Sequence, residues 1–181
     1  WNWMADHLQV YGAYLWELCT APVLPFEFVS VAEQFSERLQ ELAVPGKAVA
    51  LDGVIDRAKT LGETAARFDE IAESWRERYR SGQAGDHGAA DVLNECMKRL
   101  SRLLVPVQST AIGTYGHDPY GFTPQTTMIP ALYDLPELGR MDEDSAESWM
   151  LRTELVRERN RVGDALADAN WLLEETIAKL T

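Results

Sequence analysis

A chain of 181 residues can build one well-filled core and hardly two. With 46% hydrophobic residues it is not composed like a disordered chain, and its net charge of −12 repels phosphate backbones and anionic headgroups. Nucleic acid and membrane surfaces are therefore not expected as partners, and no apolar run has the length of a membrane span.

The chain opens on Trp1-Asn2-Trp3 with no visible signal peptide, and reads as a segment excised from a longer protein. Met4, Leu8, Tyr11, Leu15 and Leu18 recur at helical spacing, and Val10, Tyr14 and Trp16 widen that stripe beyond one face. A helix apolar on two faces needs two neighbours. It should stop at Ala21-Pro22, where proline withdraws a donor. Trp1, Trp3, Tyr14 and Trp16 either complete the domain's own core or pack against a domain that is missing.

Residues 22–28, PVLPFEF, read as an extended apolar crossing. Val29, Ala32, Phe35, Leu39 and Leu42 form a second helical stripe, ended by Pro45-Gly46. Asp52 is the expected N-cap of a third helix. Its apolar positions, Ala58, Leu61, Ala65, Phe68, Ala72, Trp75 and Tyr79, step alternately by three and four, as a bundle seam does. Arg76, Arg78 and Arg80 suit the negative end of its dipole. After a polar loop from Gly82 to Gly88, Leu93, Met97, Leu100, Leu104 and Val107 mark a fourth helix that Pro106 is expected to end. A long stretch rich in proline and aromatic residues follows, with one short helical turn expected at Ile129–Leu135. Asp142, Glu143, Asp144 and Ser145 open the last and longest helix, with Leu155, Val162, Leu166, Ala169, Leu173, Ile177 and Leu180 as its stripe. The fold class is all-α: a helical bundle of four to five main helices with one long irregular Pro-rich loop.

Chemistry-bearing patterns are sparse. None of the three histidines, His7, His87 and His117, has a second histidine one turn away, so no H-E-x-x-H zinc helix exists. Glu-x-x-His is absent, which removes the ligand pattern of di-metal bundles. No G-x-S-x-G nucleophile elbow and no phosphate-cradling glycine loop occurs. The acidic run Asp142–Asp144 suits helix capping better than calcium, since it lacks the alternating ligands and glycine of an EF-hand. Cys19 and Cys96 lie in apolar helical patterns outside any C-x-x-C, so buried free thiols are expected and the compartment stays open. No catalytic or metal-ligating residue is assigned.

Five segments, in order, carry a resemblance: HLQVYGAYLWELCTAPVLPFEF (His7 to Phe28), LNECMKRLSRLLVPV (Leu93 to Val107), HDPYGF (His117 to Phe122), IPALYDL (Ile129 to Leu135) and LRTELVRERNRVGDALADAN (Leu151 to Asn170). Together they resemble the transferrin receptor-like dimerisation domain of M28-family zinc peptidases of the glutamate carboxypeptidase, folate hydrolase-like kind; the last segment resembles bacterial members. The resemblance implies that residues 1–21 are the last helix of a catalytic domain, packed on the bundle, and that 22–181 are the helical dimerisation domain, one compact unit overall. It implies a homodimer, and zinc bound in the absent catalytic domain with no cofactor in this chain. The parent would be a soluble, zinc-dependent exopeptidase, exported or not. The alternative is a zinc-less, receptor-like binding protein. In glutamate-specific relatives a lysine followed by a tyrosine grips the substrate's terminal glutamate. Matching HDPY to that place puts Tyr120 at the tyrosine and Pro119 at the lysine, with His117 nearby. Such a parent would lack strict preference for C-terminal glutamate.

Overall fold

The computed structural model describes residues 2–44, 47–85, 87–111 and 128–181. Tyr120 and His117, and with them the proposed substrate contacts, lie outside the described residues. Among the described residues the chain is helical throughout and contains no strand.

Helix α1 spans Asn2–Thr20 and α2 Val29–Ala43. After a 3₁₀ turn at Lys47–Val49, α3 spans Asp52–Arg80 and α4 Gly88–Ser109. A second 3₁₀ turn at Pro130–Leu132 leads into the short α5, Leu135–Leu138, and α6 runs from Ala146 to Leu180. Helix α3 packs on both α2 and α6, and α6 packs in turn on α4. The bundle thus has four main helices, in the spatial order α2, α3, α6, α4.

The stripes read from spacing form its core. Phe35, Leu39, Leu61, Phe68, Leu93, Met97, Leu100, Leu166 and Leu173 are fully buried, and one continuous cluster joins them. Phe28 closes the core from the crossing segment, meeting Phe68 edge to face with centroids 6.3 Å apart. Trp75 and Tyr79 leave the seam and are only partly covered. There Arg78 lies over the Trp75 ring at 4.7 Å.

Several local expectations need correction. Leu51, not Asp52, is the N-cap of α3; Asp52 is its first residue, where its charge still faces the positive end of the dipole. Pro106 does not end α4, which continues to Ser109. A proline in the last turn of a helix disturbs only the final bonds, and the Thr110 hydroxyl donates to the Pro106 carbonyl at 2.6 Å. The single turn expected near Ile129 is instead two short elements, the 3₁₀ turn and α5. The last helix is capped by Ser145, whose Oγ accepts the Ser148 N–H at 3.1 Å. Cys96 is buried as expected, but Cys19 is exposed.

The largest departure is α1. Residues 1–21 were expected to pack on the bundle, yet every described side chain from Trp3 to Glu17 is exposed and Leu18 is only half-buried. Among the described residues α1 has no substantial packing partner. Trp3, Leu8, Tyr11, Tyr14, Leu15 and Trp16 are each 62–71% exposed. The four-helix core closes without it: α2 and α6 occupy both sides of α3, and the extended crossing carries α1 away.

Candidate interaction surface and loop base

Three features stand out as candidates: the α1 surface, the strap that carries it, and the base of the long loop. Between its ends, where Ala21 and Phe28 still bond the flanking helices, the strap of residues 21–28 takes its hydrogen bonds from side chains. Asn94 on α4 supplies two bonds, accepting the Leu24 N–H on Oδ1 at 2.8 Å and donating from Nδ2 to the Pro22 carbonyl at 2.8 Å. Arg76 on α3 donates from Nη2 to the carbonyls of Leu24, at 2.6 Å, and Phe26, at 3.0 Å. Asp69 Oδ2 accepts the N–H groups of Phe28, at 2.9 Å, and Val29, at 3.0 Å. It thereby caps α2 from another helix, in place of Phe28, whose ring has no acceptor to offer.

This clasp has an electrostatic cost. Burial pushes the Asp69 carboxyl above its ordinary value, with Glu27 adding to the rise; the two backbone N–H groups and Arg76 oppose it. Asp69 Oδ1 and Arg76 Nε find no hydrogen-bond partner among the described residues. Sequence reading assigned Arg76 to the helix dipole and gave Asp69 and Asn94 no role. The available signal was their position: each directly follows a seam residue, Phe68, Trp75 or Leu93, and so sits at the margin of the core.

At the loop base, Gln108 accepts the Ile129 N–H at 3.0 Å, so the segment between leaves and re-enters at one place. Arg161 on α6 donates to the Ala111 carbonyl at 3.3 Å, and Arg38 on α2 donates to the Met128 carbonyl at 3.1 Å. Ile129 is fully buried in a left-handed conformation, φ 56°, which an isoleucine adopts only where surrounding packing enforces it. The loop that contains His117 and Tyr120 is thus anchored at both ends beside the C-terminal end of α4.

The remaining candidates stay apart. His7 is exposed and meets Trp3 edge to face at 5.1 Å. His87 stacks on Tyr79 with centroids 5.7 Å apart. Burial also raises the Cys96 thiol, which Thr176 partly offsets through a side-chain hydrogen bond. Among the described residues no three His, Cys, Asp or Glu side chains converge as a metal site would require, and no helix is long and apolar enough to cross a membrane.

Comparison with family models, curated proteins and solved structures finds no match to this chain.

Proposed function

We propose that this chain is a non-catalytic helical dimerisation domain of an M28-type zinc peptidase of the glutamate carboxypeptidase kind, which joins two copies of the parent and lends the loop containing His117 and Tyr120 to the substrate pocket. The observation that carries the reading is the combination of a self-sufficient four-helix core with a tethered apolar helix. Helix α1 has only Asp6 and Glu17 as fully charged residues among many large apolar ones. Left in water, each of those side chains forgoes about 1.5–3 kcal/mol of burial. A cover from the catalytic domain of the parent chain would recover it. The anchored loop base supports the second part, because the bonds at Ala111, Met128 and Ile129 fix where the chain leaves the bundle and where it rejoins it.

Sedimentation equilibrium and a metal-dependent peptidase assay test this together. The expected results are a reversible dimer at micromolar concentration and no zinc-dependent turnover of peptide or N-acyl-glutamate substrates. A strictly monomeric chain removes the dimerisation role. Turnover that follows the protein through purification removes the non-catalytic one.

A further inference from the structure

A groove whose lining includes no strap or α1 residue lies where α5 and the start of α6 meet the Lys47–Val49 turn. Its volume is about 720 Å³, within the usual range of ligand-sized clefts. Lys47, Arg140 and Arg152 line it against a single carboxylate, Glu143. Its lining residues carry three cations and one carboxylate, in a chain of net charge −12 whose Asp142 and Asp144 flank the groove. Exposed charges separated by more than about 8–10 Å are largely screened at physiological salt, so the local set governs what enters.

The cations are available. The side chains of Lys47 and Arg140 make no hydrogen bond or ion pair among the described residues. Arg152 uses its Nε to donate to the Ala48 carbonyl at 3.1 Å, which ties α6 to the turn and leaves its terminal nitrogens unpaired within the described structure. Arg159 donates to the Val49 carbonyl and reinforces the same wall. Leu138 and Met141 add apolar surface to the lining. A groove lined by three cations that have no ion-pair partner among the described residues is complementary to negative charge carried by a compact molecule.

We propose that this groove binds a small, multiply charged anion, held by Lys47, Arg140 and Arg152. The proposal is independent of the dimerisation reading, since none of these residues belongs to the strap, α1 or the loop base.

The test is isothermal titration of the intact chain with pyrophosphate at constant ionic strength, using chloride as the balancing salt. Saturable one-to-one binding is expected. Replacing both unpaired cations, Lys47→Gln with Arg140→Gln, should weaken it by at least tenfold, roughly the loss of one charge-assisted contact. Glu143→Gln, which removes the opposing carboxylate, should tighten it. Arg102→Gln, at an arginine on the exposed face of α4, should change nothing. No saturable heat into the millimolar range overturns the proposal. So does a double variant that binds like the original chain, or an Arg102→Gln variant that loses as much as the double variant. Circular dichroism of each variant confirms that loss of binding is not loss of fold.

Discussion

Asp69 shows how one side chain can be both needed and costly. Its oxygen caps α2 and holds the end of the strap, yet its charge is partly removed from water. Because burial raises its folded-state pKa above the ordinary value of 3.8, the folded chain takes up a proton more readily than the unfolded one. This group's contribution is therefore most favourable at low pH and is lost as pH rises from about the ordinary value through the raised one. Asp69→Asn keeps a carbonyl acceptor and deletes the charge. Denaturant unfolding of both proteins across the acid range should show the unsubstituted chain gaining on the asparagine variant as pH falls through that window. A difference independent of pH would mean that Asp69 carries no buried-charge penalty. Asp69→Ala removes the cap outright and should cost about 1–2 kcal/mol at neutral pH. In the core, Phe68→Ala should cost about 3–5 kcal/mol, because the ring is fully buried against Phe28 and a cavity there has no solvent to fill it.

Among elements, the two longest helices, α3 and α6, pack on each other, and Gly163 sits in their contact. A Cβ built there would lie 2.8 Å from Arg57 Nη1 and 3.4 Å from Val54 Cγ2. The first neighbour is the free end of a flexible side chain, whose exposed pair with Asp164 contributes little; the second is at ordinary contact distance. Gly163→Ala should therefore be tolerated and should stabilise by up to about 1 kcal/mol through helix propensity. Gly163→Leu has to push Val54 and should destabilise. Thermal unfolding of the two variants distinguishes these outcomes, and a destabilised alanine variant would mean that the helices cannot yield even at Arg57. The same crossing carries a polar tie, in which Arg67 donates to Glu174, with Thr64 beside them on α3. Register between the two longest helices is thus specified by side chains as well as by the apolar seam.

At the scale of the molecule, α1 and the bundle should behave as separate stability units. Helices in proteins owe most of their stability to tertiary packing, so α1 uncovered should open far more readily than α3. Amide exchange of the chain should be fast across α1 and slow across the buried stretches of α3, α4 and α6. Replacing Leu8, Tyr11 and Leu15 by glutamine should leave the unfolding midpoint of the bundle within about 0.5 kcal/mol of its original value, because those side chains are exposed. The same triple variant should lose any association that covers α1. Protection of α1 equal to that of α3 in the monomer would show that the helix has a partner within its own chain.

The bundle itself was legible in the residues. Alternating steps of three and four from Ala58 to Ala72, and the matching stripes at Phe35, Leu100 and Leu166, require helices with one apolar face, and such faces have few ways to meet other than a bundle. Composition and spacing also showed that no familiar catalytic pattern runs along the chain. Periodicity, however, reports that a face is apolar and not what covers it. Helix α1 carries as strong an apolar signal as the others, yet the four-helix core closes without it, because α2 and α6 already occupy both sides of α3. The clasp of Asp69, Arg76 and Asn94 was equally out of reach, since the strap groups it satisfies lie 40 to 72 residues away in sequence. The basic groove between the Lys47 turn and Arg140 joins cations from separate segments for the same reason. Local pattern determined which residues leave water; only the packed arrangement of the helices decided which polar groups they brought together.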